Sequence, residues 1–264
     1  MTAEKWRYAH ASVIGAAHVG QNTICQDRFL CRAIETDEGE ILIAAVADGA
    51  GSTTSGQIGA EIACIFFGEQ ATEFLKSANA SVKSLTPEFG KRWIEYLQKK
   101  IAVVALEAEK PVREFASTFV GAIVGRGGAA FYQIGDGAIV YSVSGAASSY
   151  RFGVEPAESE YVNTTDFITD AAVAERLRFN FIEEAIEDLI LFSDGIFAVA
   201  VDYQTTKPHE PFLMPMIAPL RNGKNINELN EKLAHFLASP RIDEKTDDDK
   251  TIILASRHNE KIGL

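Results

Sequence analysis

Aspartates that end apolar segments are the residues of this chain whose positions suggest chemistry. The clearest example is residues 41–51, where seven apolar residues lead into Asp48 and glycines follow at 49 and 51. An unbroken apolar run closed by Asp-Gly is typical of a strand that is buried on both faces. The same pattern recurs at two further Asp-Gly pairs, Asp136-Gly137 and Asp194-Gly195. Three such junctions predict that carboxylates gather at one edge of a sheet.

Two more acidic positions precede predicted strands, namely Asp27 and the run Asp247-Asp248-Asp249. Carboxylates that are gathered in this way repel one another unless a cation binds between them. Oxygen ligands without a His or Cys companion favour Mg²⁺ or Mn²⁺ over zinc. Two such ions about 3.5–4 Å apart can convert a shared water into a hydroxide nucleophile and hold phosphoryl oxygens. The aspartates therefore point to metal-dependent hydrolysis of a phosphate ester.

Length and composition narrow the class of protein. A chain of 264 residues is long enough for one large domain, and we expect residues 1–264 to form it. The formal net charge of −12 argues against a nucleic-acid partner or an anionic membrane surface. No apolar run approaches the roughly 20 residues that span a bilayer, and the first residues carry no apolar signal region. Three cysteines without CxxC spacing favour a reducing compartment, so we expect a cytoplasmic protein.

The periodicity of apolar residues predicts an α+β protein in which helices cover the outer faces of sheets. Predicted strands lie at residues 6–15, 29–35, 41–47, 118–124, 129–135, 138–144, 148–153, 174–184, 188–192 and 251–256. Predicted helices lie at 58–75, 87–108, 196–201, 212–220 and 226–237. Residues 18–26 and 203–211 are predicted loops, and the polar segment 155–170 is a candidate flap over a site.

The acidic positions belong to six short motifs in a fixed order. They are CQDRF at 25–29, VADGAGS at 46–52, ASTF at 116–119, IGDG at 134–137, LFSDGI at 191–196 and DDKTII at 248–253. Each motif alone is a weak signal, but six in sequence are a strong one. In this order the chain resembles the metal-dependent Ser/Thr protein phosphatases (PPM, or type 2C), in their bacterial branch.

The resemblance implies a four-layer sandwich, with two antiparallel β-sheets packed face to face and α-helix pairs on both outer faces. It also implies roles for single residues. Asp48 would bridge two metal ions, and the carbonyl of Gly49 would ligate one of them. Asp194 and Asp248 would ligate the other ion, Asp27 would hold metal-bound waters, and Asp136 would help to bind a weaker third ion. By this resemblance Asp48, Asp194 and Asp27 carry the catalysis.

The chain departs from the pattern of the best-known family members at three positions. Gln26 stands where they carry Glu, and Asn22 replaces the arginine that usually grips the phosphate. Ala50 replaces a histidine that some members use as a general acid. We therefore consider Asn22 together with His18 and Arg28, the nearest candidates to replace the lost groups, as substrate-binding residues. A metal-bound water could protonate the leaving oxygen instead of the histidine.

Several positions also have a structural interpretation. Asp136-Gly137 between apolar runs is a common hairpin turn, whether or not it binds metal. Asp248 is favoured as the ligand by its register with Thr251, and Asp249 is the alternative. For His18, a solvent-facing loop residue is the favoured interpretation.

The sequence thus predicts a protein phosphatase for phosphoserine and phosphothreonine with two Mn²⁺ or Mg²⁺ ions, a bridging hydroxide and no covalent intermediate. We expect a monomer whose partners are phosphorylated proteins, with a Ser/Thr kinase as a possible counterpart. Two rivals remain. One is a pseudophosphatase that acts as a phosphopeptide-binding or regulatory module, and the other is a small-molecule phosphate hydrolase.

Overall fold

Two five-stranded antiparallel sheets form the centre of the protein. The computed structural model describes residues 4–20, 23–78, 80–144, 149–156 and 165–259. Sheet I has the strand order β2 (Arg28–Thr36), β3 (Gly39–Ala47), β4 (Phe119–Gly125), β5 (Gly128–Ile134) and β8 (Arg178–Ile182). Sheet II has the order β1 (Glu4–Val13), β12 (Lys250–Asn259), β9 (Ile186–Phe192), β6 (Ala138–Val143) and β7 (Arg151–Phe152). A small hairpin joins β10 (Val201–Asp202) to β11 (Lys207–Pro208).

Helices pack on the outer face of each sheet. The described helices are α1 (Ala16–Gly20), α2 (Gly56–Lys76), α3 (Pro87–Glu107), α4 (Phe197–Ala200), α5 (Glu210–Arg221), α6 (Ile226–Leu237) and α7 (Pro240–Asp243). One apolar cluster joins α2 and α3 to sheet I, and another joins α5 and α6 to sheet II. A third cluster fills the space between the two sheets. The predicted α+β sandwich with two antiparallel sheets and outer helices is therefore confirmed.

Strand β3 explains why the sequence around Asp48 is continuously apolar. Ile43 and Ala45 face the layer of α2 and α3, whereas Leu42 and Val46 face the space between the sheets. Successive side chains of a strand point to opposite faces, so a strand between two apolar layers needs no polar positions. Burial of each large side chain contributes about 1.5–3 kcal/mol, which fixes the register of β3 and the position at which it ends.

Three of the departures from the predicted elements concern predicted loops and the start of a predicted strand. The predicted loop 18–26 begins with α1, and the predicted loop 203–211 contains the β10–β11 hairpin. The predicted strand 174–184 starts only at Arg178, because residues 173–176 form a short 3₁₀ helix. That helix follows Ala172 in the left-handed region (φ 56°) and buries Val173, so local backbone geometry and packing override the alternating pattern.

Within the described residues, no helix combines the length and the apolar character that a membrane crossing requires.

Candidate functional site

Asp48 lies at the end of β3 in a loop whose backbone is held by the start of β4. Its N–H donates to the Oγ1 of Thr118 over 3.2 Å, and the N–H of Thr118 donates to its carbonyl over 2.8 Å. The N–H of Ala50 donates to the carbonyl of Ala116 over 2.9 Å. The Gly49 carbonyl between them accepts no hydrogen bond from the described residues. The loop therefore presents one carboxylate and one free carbonyl from a fixed backbone.

Asp27 lies beside this loop, immediately before β2, and is 1% exposed. The hydroxyl of Ser193 donates to Asp27 Oδ2 over 2.7 Å and accepts the N–H of Thr251 over 3.0 Å. The other oxygen, Oδ1, is buried and has no hydrogen-bond partner. Ser193 thus links sheet I to sheet II at the site and leaves one oxygen of Asp27 without a donor.

Asp194 and Asp248 approach from sheet II. Asp194 follows β9 and opens a short 3₁₀ helix, and its buried Oδ1 also has no partner. A Cβ on Gly195 would lie 1.9 Å from the carbonyl oxygen of Asp249. Only glycine therefore permits the end of β9 to approach the 248–249 segment so closely.

Burial and mutual repulsion perturb these carboxyl groups strongly. Burial, followed by the charges of Asp27, Asp194 and Asp248, raises the pKa of Asp48 well above its usual range. Burial also raises the pKa of Asp27 to about 6, although the hydrogen bond from Ser193 opposes this rise. Burial, then the charges of Asp136, Asp248 and Asp27, raises the pKa of Asp194 to about 7. The cluster therefore holds protons near neutral pH in the protein without a cation.

The donor chemistry of this cluster fits a hard divalent cation. It offers carboxylates and a carbonyl, and two buried carboxylate oxygens lack any donor. In their present orientation, however, the described residues include no group of three or more His, Cys, Asp or Glu side chains that could hold an ion. Asp27 and Asp48 lie close enough for each carboxyl group to shift the pKa of the other. Cation binding must therefore displace protons and turn these carboxylates.

Asp136 stands at the rim of the cluster. It lies in the turn between β5 and β6, is exposed, and accepts a hydrogen bond of 2.9 Å from the hydroxyl of Thr165. Gly135 before it has a φ of 82°, which glycine adopts without strain. Its charge is nevertheless the largest electrostatic influence on Asp194. The interpretation as a hairpin turn is wrong, because β5 pairs with β4 and β8 in sheet I whereas β6 pairs with β7 and β9 in sheet II. The turn passes from one sheet to the other, and Asp136 lies close enough to act on Asp194.

Asp249 has a different environment from Asp248. It is 1% exposed, and its carboxylate accepts the N–H of Gly15 over 2.7 Å and the N–H of Gln26 over 2.6 Å. The Nδ1 of His18 lies 2.9 Å from the same carboxylate. These contacts occupy Asp249 within the chain, whereas Asp248 is half-buried and acts electrostatically on Asp48 and Asp194.

Of the three predicted substrate-binding residues, the structure describes two, and they lie in different surroundings. His18 is brought to the cluster, with a side chain only 13% exposed, so its interpretation as a solvent-facing loop residue is wrong. Arg28 donates to the backbone carbonyls of Cys25 and Asp27 and lies 3.9 Å from Glu61. Asn22 lies outside the described residues.

Sequence reasoning missed the residues that orient the carboxylates. Ser193 lies within the LFSDGI motif, which by itself assigns no role to it. Gly15 lies outside the six motifs, yet a Cβ there would lie 2.3 Å from the carbonyl carbon of Asp248, so a larger residue would not fit. A hydroxyl next to a strand-end aspartate was an available signal for Ser193, whereas the approach of Gly15 depends on a contact over more than 200 residues of sequence.

Comparison with known proteins finds related sequences. A family model described as Protein phosphatase 2C matches residues 14–238. The Escherichia coli (strain K12) protein "Serine/threonine-protein phosphatase 3" is 32% identical over 253 residues, which are 95% of this chain and 98% of that protein.

Solved structures show the same fold at lower identity. The serine/threonine phosphatase of S. agalactiae aligns with a TM-score of 0.63 at 14% identity, over 96% of this chain and 99% of that one. RsbX, crystallised in complex with magnesium, aligns with a TM-score of 0.56 at 13% identity, over 97% of this chain and 100% of that one. At such identities the likeness establishes the fold alone.

Proposed function

The chain belongs to the protein phosphatase 2C family of serine/threonine protein phosphatases, and on that premise we propose that it hydrolyses phosphoserine and phosphothreonine in proteins with two Mn²⁺ or Mg²⁺ ions. One observation carries the proposal. Carboxylates from both sheets meet at one edge, raise one another's pKa values, and leave two buried oxygens without donors. A cation bound between such carboxylates offsets their mutual repulsion.

The proposal assigns the ligands by their positions. Asp48, the carbonyl of Gly49, Asp194 and Asp248 are the groups that would hold the two ions. When bound, such a pair of ions makes a water nucleophilic near neutral pH and neutralises charge on the phosphoryl oxygens. RsbX, which shares the fold, was crystallised with magnesium, which supports a divalent ion here.

The remaining residues of the cluster orient and balance it. Ser193 fixes one oxygen of Asp27 and leaves the other directed to the site, where it can accept a proton from bound water. Asp136, at the rim, is placed to share a third, weaker ion. Thr118 keeps the Asp48 loop in place through two hydrogen bonds. We further propose that the enzyme acts as a monomer on proteins that a Ser/Thr kinase has phosphorylated.

The direct test is hydrolysis of p-nitrophenyl phosphate with added Mn²⁺, compared between the wild type and Asp194→Ala. We expect activity that EDTA abolishes and that the substitution removes. Asp37→Ala is a matched control, because Asp37 is exposed in the turn between β2 and β3 and should leave the rate unchanged. Wild-type activity that survives EDTA would contradict the proposal.

A substrate panel separates protein phosphatase activity from the two rivals. Phosphoserine and phosphothreonine peptides should be hydrolysed faster than small phosphorylated metabolites. Preference for a metabolite would favour a small-molecule hydrolase. Binding of Mn²⁺ in calorimetry without turnover of any phosphate ester would favour a pseudophosphatase.

A further inference from the structure

The residues described around the candidate metal site are mainly acidic, yet a phosphoryl group is itself an anion. Bound cations account for part of the attraction, but the phosphoryl oxygens also need hydrogen-bond donors with a fixed direction. Arg28 uses one of its NH groups for two backbone carbonyls of its own loop. His18 is a basic side chain that lies against the buried part of the cluster, beside Asp249.

The short helix α1 is held tightly against the segment that contains Asp248. The N–H of Ala17 donates to the carbonyl of Asp247 over 2.9 Å, and Gly15 packs directly on the backbone of Asp248. The N–H of Gly15 also donates to the buried carboxylate of Asp249 over 2.7 Å. His18 therefore stands on a backbone that is fixed relative to the candidate ligands.

The imidazole ring spans from Asp249 to the Asp48 loop. Its Nδ1 is buried and lies 2.9 Å from Asp249 Oδ1, although the N–H is poorly aligned with that oxygen. Its Nε2 lies at the other end, 3.7 Å from where a Cβ on Gly51 would be. The Nε2 is thus directed over the loop that presents Asp48 and Gly49, and Gly51 leaves space beside it.

The surrounding charges favour the protonated ring. Asp249 lies 2.9 Å from Nδ1 and can only accept a hydrogen bond, and a phosphate at Nε2 would place a second anion at the other end of the ring, so both neighbours favour a proton on the nitrogen that they face. The protonated ring carries an N–H at both nitrogens. With Nδ1 turned to Asp249, the Nε2–H is the donor that remains for a ligand.

We propose that His18 binds the substrate phosphate, with its Nε2–H donating to a non-bridging phosphoryl oxygen and Asp249 acting as the positioning residue for the ring. This inference rests on the proposed function, because it concerns the same site. It assigns the phosphate-binding task to a residue of α1 that lies four positions before Asn22 in the sequence.

Two substitutions of His18 distinguish the contribution of Nδ1 from that of Nε2. In His18→Asn the side-chain amide can take the place of Nδ1 and keep the contact with Asp249, but nothing replaces Nε2. In His18→Gln the amide reaches the place of Nε2, whereas the contact with Asp249 is lost. Titration calorimetry of inorganic phosphate into the Mg²⁺-loaded proteins should show binding about 10- to 100-fold weaker in His18→Asn, and a smaller loss in His18→Gln.

Controls exclude a purely structural role. Mg²⁺ titrations without phosphate should give an affinity no weaker than that of the wild type in His18→Asn, which shows that the carboxylate cluster is intact. His235→Gln changes an exposed histidine of α6 and should not alter phosphate binding. An unchanged affinity for phosphate in His18→Asn overturns the inference. If Mg²⁺ also binds more tightly in that variant, the role of His18 is only to balance the negative charge of the cluster.

Activity measurements distinguish failure of this inference from failure of the proposed function. His18→Asn should raise KM equally for p-nitrophenyl phosphate and for a phosphopeptide, because the contact involves the phosphoryl group that both share. An active wild type with unchanged KM in His18→Asn overturns only the role of His18. An inactive wild type whose phosphate binding depends on His18 overturns only the proposed function.

Discussion

Two regions of the molecule bury carboxylates, and they differ in whether neighbouring side chains compensate the negative charge. Asp188 on β9 is fully buried, but it accepts hydrogen bonds of 3.0 Å from the hydroxyls of Ser142 and Tyr150 and forms an ion pair with Arg221. The cluster around Asp48 contains several carboxylates, and two of its buried oxygens have no donor. The chain itself neutralises the first region and leaves the second without compensation.

The difference separates a structural carboxylate from a functional one. A buried charge with a cation and two hydroxyl donors contributes to the fold as it stands. A group of buried carboxylates that repel one another is stable only when it holds protons or binds a cation. Changes at the two regions should therefore have opposite effects on stability and on activity, and this comparison leads to four predictions.

The largest effect is expected at the uncompensated cluster. Asp48→Asn should lower Mn²⁺-dependent phosphatase activity by more than about 100-fold, because even changes in partners of metal ligands cost about 10–100-fold. The same substitution should raise the melting temperature of the protein in EDTA, since an amide can be buried beside the other carboxylates without taking up a proton, whereas the Asp48 carboxyl cannot. Activity assays and thermal unfolding in EDTA measure the two effects, and a lower melting temperature would contradict the comparison.

Asp188→Ala should lower the stability of the protein and leave its metal binding unchanged, which is the reverse of the effects expected for Asp48→Asn. Removal of the carboxylate leaves Arg221 unpaired and two hydroxyls without an acceptor, so the free energy of unfolding should fall by about 3 kcal/mol. Urea denaturation measures this loss. The folded fraction should keep the wild-type affinity for Mn²⁺. A stability within about 0.5 kcal/mol of the wild type would show that the contacts of Asp188 are not structural.

Added metal should stabilise the wild type through the cluster alone. At a free Mn²⁺ concentration about 100 times its Kd, linkage predicts a gain of about 2.7 kcal/mol in the free energy of unfolding. Asp188→Ala should keep this gain, whereas Asp48→Asn should lose most of it. Denaturation curves with and without Mn²⁺ test the prediction, and an equal gain in both variants would place the ions elsewhere.

The smallest effect is a pH dependence of the metal-free protein. The raised pKa values of Asp27 and Asp194, about 6 and about 7, mean that the folded protein binds more protons than the unfolded chain above about pH 4. Stability from these groups is present at low pH and is lost as the pH rises through 6 and 7. The raised pKa of His18 acts in the same direction.

The melting temperature in EDTA should therefore fall between pH 5 and pH 8 more steeply than in the presence of Mn²⁺, which removes the need for the protons. Scans across this range in both conditions give the comparison. Parallel curves would show that the carboxyl groups of the cluster ionise without cost in the metal-free protein.

Much of the fold could be predicted because its elements follow local patterns. The continuous apolar run of β3 and the amphipathic face of α3 both appear in the structure close to the predicted positions. The 3₁₀ helix at residues 173–176 and the β10–β11 hairpin were not predicted, because packing and backbone geometry that no local pattern encodes determine them. The family fold came from the order of motifs, since periodicity alone does not select between arrangements of two sheets.

By itself the sequence determined which carboxylates end strands, because a buried strand must be apolar and its first polar residue marks the edge of the core. Only the tertiary structure decided how these carboxylates differ. It occupies Asp249 with backbone donors of Gly15 and Gln26, turns His18 toward the Asp48 loop, and binds Asp27 through Ser193. These contacts join residues far apart in the chain, and hydrogen bonds depend on distance and direction in space, which residue type and spacing do not specify.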